Sequence, residues 1–404
     1  MHVLKCTSCD LLVHVVPVAR GFCARCPSCG TRVIKNSSIS LSGERALALA
    51  ALVLFFPAQF YALVSIELLG VPLSTTVTSG SVILLESFPF VGALVIFCVA
   101  VAPLLYLLTI LVSNISVSFR NARVLYYSSS VLKVIRHWVM VDVFLVSLAV
   151  GCFKVQDFAD ISVDAGLLSF VLLQVLTAVL LSRVSPKRYW DAMGESQNQQ
   201  DENEEAPLAS EALIGCSLCG LTQSAHHQHC TRCGKRLEHR VFQSIQKTWA
   251  SLLAAVVFIF PANLYPISIL LTNGKRLEDT IFSGVASLIK QGMYGIAIII
   301  FTASIIVPVV KIICLAYILL CIHFKVESGR KLRMKLYRFV KWIGKWSMMD
   351  LCVIAIMVSL IDRGNLLDFT PGPGAIAFGL VVVLTMIAAE SLDSRLIWDK
   401  YEQR

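Results

Sequence analysis

The chain has 404 residues, of which 56% are hydrophobic and 15% are charged, and its formal net charge is +9. This composition, with a mean hydropathy of +0.74, is far more apolar than that of soluble domains and predicts an integral membrane protein. The basic residues concentrate in loops beside apolar stretches, so contact with a membrane surface explains the positive charge better than nucleic-acid binding does.

The chain opens with a polar, cysteine-bearing segment, residues 1–40, and a similar segment, residues 214–240, follows an acidic stretch at 185–213. Each cysteine-bearing segment contains two CxxC pairs, a spacing that brings four thiolates around one tetrahedral ion. We therefore predict two zinc-ribbon-like modules and two zinc ions, with iron as the less favoured metal and redox-active thiol pairs as an alternative. The predicted ligands are Cys6, Cys9, Cys26, Cys29, Cys216, Cys219, Cys230 and Cys233.

Other potential ligands lie beside these pairs. Cys23 has no counterpart in the second segment, so we interpret it as a bystander, and His226, His227 and His229 are alternative ligands next to a site that four cysteines already fill. The cysteines in apolar stretches are expected to be packing residues. We expect no signal peptide, because the first forty residues are polar.

Eight apolar stretches are long enough to predict membrane spans of about twenty residues. Landmarks recur in the two halves: the Phe-Pro-Ala segments at Pro57 and Pro261 are 204 residues apart, and the Trp-x-Met-x-Asp runs ending at Asp142 and Asp350 are 208 apart. We therefore predict an all-α protein built from two parallel repeats of four spans, with domains at 41–184 and 241–404 and a disordered linker at 185–213. The predicted spans are 46–69, 90–113, 134–153, 164–182, 249–272, 294–321, 343–361 and 374–391.

Twelve of the 35 lysines and arginines fall in or beside the two loops between the second and third spans of each half. Because basic loops stay on the cytoplasmic side, both termini and both cysteine segments are predicted to be cytoplasmic. The segments near 70–89 and 273–293 are then predicted to face outward.

Ionisable residues inside a membrane are costly and usually mark a pathway. Lys311 lies well within the sixth span, whereas the matching position of the first half is Tyr106. We predict a polar intramembrane network around this lysine. For the Ser and Thr members, the alternative is that each hydroxyl bonds the backbone of its own helix. For Asp142 and Asp350 the alternative is a cap at the membrane interface, and for Lys154 and Asp157 it is an ordinary ion pair in a loop. The predicted members are Lys154, Asp157, Lys311, Asp350, Asp142, Ser359 and Thr385.

Together, the twinned CxxC segments, Phe-Pro-Ala, Trp-x-Met-x-Asp, the Phe-Lys-Val-Gln-Asp run that ends at Asp157, and Glu390-Ser-Leu-Asp-Ser-Arg395 resemble the paraquat-inducible protein A family, in particular its LetA branch. The resemblance covers nearly the whole chain. It implies a multi-pass protein of the bacterial inner membrane whose halves are tetraspanin-like. It also implies a LetB-like MCE-domain partner that forms a tunnel across the periplasm, and phospholipids as cargo. The intramembrane positions that carry over are Lys154, Asp157, Lys311 and Asp350.

Three functions follow as expectations. The first is a lipid-transport subunit that loads or receives phospholipid at the tunnel, with the proton motive force as its driver. The second is a structural anchor that only seats the MCE partner. The third is a membrane redox enzyme, which we weigh least. The sequence has no GxxxxGK[ST] motif, so ATP hydrolysis by this chain is not expected, and we predict no enzymatic activity.

Overall fold

The computed structural model describes residues 2–15, 18–19, 21–35, 39–68, 71–87, 89–155, 160–194, 213–272, 275–290, 292–361 and 367–399. Helices predominate in this part of the chain, and the two halves present their elements in a similar order.

The first half begins with two short hairpins, whose turns carry the four ligand cysteines, followed by the helices and strands of its membrane portion. These elements are β1 (His2–Lys5), β2 (Leu12–Val15), β3 (Cys23–Arg25), β4 (Arg32–Lys35), α1 (Leu41–Phe60), β5 (Val64–Leu68), β6 (Val71–Thr75), α2 (Val77–Ser87), α3 (Pro89–Ile96), α4 (Ala102–Ser118), α5 (Ala122–Ile135), α6 (Val141–Val155), β7 (Asp160–Val163), α7 (Ala165–Arg183) and α8 (Pro186–Gly194).

The second half follows the same plan, with one cysteine hairpin in place of two. Its elements are β8 (Leu213–Gly215), β9 (Thr222–Ser224), α9 (Ser244–Leu264), β10 (Ser268–Thr272), β11 (Lys275–Asp279), α10 (Ile281–Lys290), α11 (Tyr294–Phe301), α12 (Val307–His323), α13 (Arg330–Ile343), α14 (Met349–Ile361), β12 (Leu367–Pro371) and α15 (Pro373–Ser391).

Six helical segments of the described chain are long and apolar enough to cross a membrane, so the chain is a multi-pass membrane protein. They are Leu41–Phe60, Pro89–Ser118, Ala165–Arg183, Ser244–Leu264, Ala297–His323 and Pro373–Ser391. The predicted third and seventh spans contain the shorter helices α6 and α14 instead. A five-residue 3-10 turn, Gly344–Met348, leads directly into α14.

The first and fifth predicted spans run too far. We expected helix to residues 69 and 272, but α1 ends at Phe60 and α9 ends at Leu264, and strands follow. Each first strand lies at the centre of a three-stranded antiparallel sheet, with order β6-β5-β7 in one half and β11-β10-β12 in the other. The all-α prediction missed these sheets because each one pairs strands that precede the second span with a strand that follows the third. Such pairing between distant segments leaves no local signal in the sequence.

The long second span of each half contains a π-helical turn, Phe97–Val101 or Thr302–Ile306. Pro103 and Pro308 follow within two residues. Proline has no N–H to donate, and its ring crowds the carbonyl four residues earlier, so the regular helical ladder cannot continue there. In the first half the displaced carbonyl of Val99 accepts a hydrogen bond from the Gln59 side chain of α1, at 3.2 Å.

Helix α14 packs against α6 and α2, and so joins the second half to the first. Ser147 of α6 donates a hydrogen bond to the Met349 carbonyl at 3.0 Å. A Cβ on Gly151 would lie 3.0 Å from a methyl group of Ile356, which shows how closely the two helices approach. The core therefore continues across both halves.

The predicted linker at 185–213 differs from the structure at its start. Residues 186–194 form α8, in which Tyr189 and Trp190 are fully buried. Trp190 donates its indole N–H to Ser129 of α5 at 3.2 Å. Two large aromatic side chains bury enough apolar surface to order a short helix. The rest of the predicted linker, 195–212, lies outside the described residues.

The start of α15 makes a close approach that requires glycine. Gly374 N donates to the Pro266 carbonyl at 3.0 Å, and a Cβ at this position would lie 2.6 Å from the Tyr265 carbonyl oxygen. We expect Gly374→Ala to reduce the free energy of unfolding by about 2 kcal/mol, because backbone must move to admit the methyl group. Thermal unfolding of the purified protein in detergent measures this effect.

Gly284→Ala is the matched control, since a Cβ there meets nothing within 4 Å in the described structure and alanine favours helix. An unchanged melting temperature in Gly374→Ala would show that this approach is not as tight as the structure gives it.

Candidate functional site

The eight predicted cysteine ligands lie in two groups of four. In the first group Cys6 Sγ is 3.6 Å from Cys29 Sγ, and Cys9 Sγ is 3.5 Å from Cys26 Sγ. The second group has two such separations of 3.5 Å, between Cys216 and Cys233 and between Cys219 and Cys230. Within each group all the sulfurs lie within 4.8 Å of one another.

These distances fit a tetrahedral metal ion. With zinc–sulfur bonds of about 2.3 Å, the sulfurs of a tetrahedral site stand roughly 3.8 Å apart. All eight thiols are buried. The hydrogen-bonded neighbour Cys9 lowers the pKa of Cys6 to about 5, whereas the contact with Cys6 raises the pKa of Cys9. Four sulfurs this close cannot all ionise without a cation between them, so each group could hold one metal ion.

The backbone prepares each ligand pair in the same way. The second cysteine of every CxxC is followed by a residue with positive φ, namely Asp10 (59°), Gly30 (71°), Gly220 (75°) and Gly234 (71°). In each turn this residue donates its N–H to the carbonyl of the pair's first cysteine, at 2.8–3.0 Å. Glycine occupies three of the four positions because it adopts positive φ without steric cost.

The alternative ligands lie outside both groups. Cys23 is exposed, and the three nearby histidines, His226, His227 and His229, are exposed as well. The four cysteines of the second group, in contrast, are buried.

The two cysteine modules are docked crosswise on the membrane portion, which the sequence did not reveal. The first module packs on the second half, where Arg338 of α13 donates to the Cys29 carbonyl and to Thr31 Oγ1. The second module packs on the first half, where Lys133 of α5 donates to the Ser217 carbonyl at 2.9 Å. In addition, Arg232 pairs with Asp191 of α8 at 2.8 Å.

The modules also touch each other. The Lys5 ammonium donates to the Leu213 carbonyl at 3.0 Å, and the Lys5 N–H donates to Thr222 Oγ1 at 3.1 Å. Arg240, at the start of the second half, forms ion pairs with both Asp10 and Asp399. Thus one set of polar contacts ties together both modules and both halves.

The second candidate centre lies inside the membrane portion. Lys311 of α12 is fully buried and donates to Thr385 Oγ1 of α15 at 2.7 Å. Thr385 is also fully buried and donates in turn to the Val382 carbonyl at 2.9 Å. Among the described side chains, Thr385 is the one hydrogen-bond partner of the Lys311 ammonium, and a hydroxyl compensates poorly for the lost hydration of a cation.

The matching positions of the first half differ. Tyr106, 205 residues before Lys311, is 1% exposed. Thr177, 208 residues before Thr385, donates to the Leu173 carbonyl of its own helix at 2.9 Å. At this position, therefore, the first half has a buried aromatic side chain and the second half has a buried lysine.

The remaining predicted network members are only partly described. Asp157 and the side chains of Lys154, Asp350 and Ser359 lie outside the described part of the chain. Asp142, half-buried at the start of α6, interacts electrostatically with Lys345. Helix α14, which carries Asp350 and Ser359, packs against α6, which carries Lys154 and Asp142.

Sequence analysis missed a buried polar cluster in the first half. Glu44 near the start of α1 is fully buried, pairs with Arg188 of α8 and accepts a hydrogen bond from Tyr189 Oη at 3.2 Å. Asn114 of α4 bonds the same phenol oxygen at 3.3 Å. The charge of Glu44 at the edge of an apolar span was the available signal, but its partners Arg188 and Tyr189 lie 144 and 145 residues away in sequence.

We expect the purified protein to carry two metal ions and Cys219→Ser to carry one, because three thiolates and a hydroxyl bind zinc or iron far more weakly than four thiolates do. Metal analysis by mass spectrometry gives both the number and the element. Cys23→Ser is the control and should retain two ions. Two ions retained in Cys219→Ser would contradict the assignment of this ligand group.

Comparisons with known proteins find relatives over nearly the whole chain. The family model described as "Paraquat-inducible protein A" matches residues 41–194 and 245–402. The chain is 39% identical over 402 residues to "Lipophilic envelope-spanning tunnel protein A" of Escherichia coli K12, covering 98% of this chain and 91% of that protein. It is 33% identical over 413 residues to a "Probable intermembrane transport protein" of Haemophilus influenzae, covering 99% and 97%.

A third relative is "Intermembrane transport protein PqiA" of Escherichia coli K12, which is 31% identical over 409 residues, covering 99% of this chain and 96% of that protein. No solved structure matches the chain.

Proposed function

This chain belongs to the paraquat-inducible protein A family, and from that premise we propose that it is the inner-membrane subunit of an MCE-type lipid-transport system. In this role it moves phospholipid between the inner and outer membranes by loading or receiving lipid at a LetB-like MCE-domain tunnel in the periplasm. The names of three relatives, which describe a tunnel protein and intermembrane transport proteins, support a role in transport.

The proposed architecture is two parallel, tetraspanin-like repeats of four spans, each associated with a zinc-ribbon-like module that binds zinc. The six long apolar helices supply most of these spans. Helix α14 and the 3-10 turn before it have 13 and 5 residues, which together reach about 30 Å, the thickness of the hydrocarbon layer. Both termini and both modules then lie in the cytoplasm, and the two sheets face the periplasm.

The observation that carries the proposal is the fully buried Lys311, hydrogen-bonded to Thr385. Burying an ammonium group costs several kcal/mol unless a counter-charge or loss of its proton compensates for the desolvation. A phospholipid brings such a counter-charge in its phosphate. The first half has Tyr106 at this place, so we assign the lipid pathway to the second half.

We extend the pathway to Asp350, Ser359, Lys154, Asp157 and Asp142. The packing of α14 against α6 supports this extension, because it brings the helices that carry four of these residues into contact. A lysine that gains and loses a proton within such a network would couple lipid movement to the proton gradient.

Photo-crosslinking tests the pathway. Leu315 lies one helical turn from Lys311 and is fully buried. We expect a small diazirine amino acid at Leu315 to capture phospholipid in membranes containing the MCE partner. Lys311→Met, which keeps an unbranched side chain one atom shorter and removes its charge, should reduce capture at least fivefold, because the phosphate loses its counter-charge.

Ile110 is the matched control position, since it lies 205 residues before Leu315 and is also fully buried. We expect no capture there. Equal capture at both positions, or capture that is insensitive to Lys311→Met while the complex still assembles, would favour the structural anchor instead.

Proton coupling makes a separate prediction. Collapse of the proton gradient with a protonophore should slow lipid exchange between membranes in wild-type protein, because the charge of Lys311 would no longer be cycled. Lipid exchange measured with labelled phospholipid in reconstituted vesicles gives the rate. An exchange rate that does not respond to the protonophore would exclude this driver.

A further inference from the structure

Helix α13 connects two helices of the second membrane half and lies against their ends. Its inner face is buried, with Met334, Tyr337 and Val340 each no more than 6% exposed. Tyr337 Oη donates to the Leu392 carbonyl at 2.9 Å, which fixes the helix beside the end of α15. The outer face of α13 is therefore held in one orientation.

That outer face combines apolar and basic side chains. Leu332, Phe339 and Trp342 are 53%, 42% and 67% exposed. At helical spacing these three residues form one stripe, with the exposed Lys331 at its edge and the exposed Lys335 within it. An in-plane helix at a bilayer has this composition, with aromatic groups at the headgroup level and lysines reaching to the phosphates.

Most other cations of α13 already have partners in the protein. Arg330 pairs with Glu327, Arg338 bonds the first cysteine module, and Lys341 pairs with Glu390. In contrast, Lys331 and Lys335 have no ion pair or hydrogen bond within the described residues. Two lysines one helical turn apart repel each other, and Lys331 lies in the first turn, where the helix dipole disfavours a cation. Neither lysine therefore stabilises the helix itself.

The first half provides an internal comparison. Helix α5 occupies the corresponding place 208 residues earlier, and it also presents an apolar stripe in which Val124, Val131 and Val134 are 41%, 44% and 62% exposed. At the position that matches Lys335, however, α5 has Tyr127, so α5 has one cation along its stripe, Arg123, where α13 has Lys331 and Lys335. Contact with lipid chains accounts for the stripe in both halves, but it does not account for the second cation of α13.

We propose that the outer face of α13 binds an anionic phospholipid of the adjacent leaflet, with Lys331 and Lys335 contacting its phosphate and Phe339 and Trp342 lying against its glycerol and upper acyl chains. The site is on the surface of the protein and distinct from the buried Lys311. It does not depend on the transport pathway proposed above, and either assignment can fail without the other.

Fluorescence quenching tests this site in full-length protein reconstituted in nanodiscs of equal phosphatidylglycerol and phosphatidylcholine. One of the two lipids carries bromine on its acyl chains, and the difference between wild type and Trp342→Phe isolates the emission of Trp342. We expect brominated phosphatidylglycerol to occupy the neighbourhood of Trp342 with roughly tenfold preference, which should weaken as salt screens the lysines.

The double variant Lys331→Gln/Lys335→Gln should reduce this preference to about one, and both changes are at exposed positions, so the fold should be retained. For the matched control, Trp342→Phe/Val134→Trp moves the probe to α5, where Arg123 is the one cation at a matching position and a clearly weaker preference is expected. Equal quenching by the two lipids in wild type, a preference that survives the double variant, or the same preference at residue 134 would each overturn the proposal.

Discussion

Inside the hydrocarbon layer, polar groups must find partners within the protein, and much of this structure follows from that constraint. The hydroxyls of Ser147 and Thr177 bond carbonyls four residues earlier in their own helices. Gln59 donates a hydrogen bond to the Val99 carbonyl, which loses its helical partner because Pro103 has no N–H. The sheets, which have unpaired edges, follow the ends of the long spans. Lys311 has a poor set of partners for a buried cation, because among the described side chains a single hydroxyl, that of Thr385, hydrogen-bonds its ammonium group.

The two halves share one order of elements but differ in the residues at matching positions. Both have a long second span with a π-helical turn before proline, a threonine in the last span and a helix across the ends of the spans. Substitutions at a few matching positions then separate them: Tyr106 against Lys311, and Tyr127 against Lys335. In both pairs the first half has an aromatic residue and the second half a cation. The second half therefore has cations, Lys311 and Lys335, at two places where the first half has none.

Sequence reasoning was most successful where the signal is local. The CxxC spacing identified the two groups of four thiols, and hydropathy identified the six long spans, because ligand spacing and apolar length are both read within about twenty residues. It was wrong about helix ends at Phe60 and Leu264, since the following strands are stabilised by β7 and β12, about a hundred residues away. The fold of α8 and the partners of Glu44 were missed for the same reason: both depend on contacts between distant segments.

The crosswise docking of the cysteine modules has a mechanical consequence. Each module precedes one half in sequence but rests on the other, and Lys5 joins the two modules directly. If the halves moved apart, each module would be pulled away from the half on which it rests, because the chain connects it to the other half. Both sets of docking contacts would then break. The metal ions that the thiols could hold would stiffen this connection, since each would fix four points of an otherwise small hairpin module. Separation of the two halves would therefore break the contacts of both modules as well as the packing of α14 against α6 and α2.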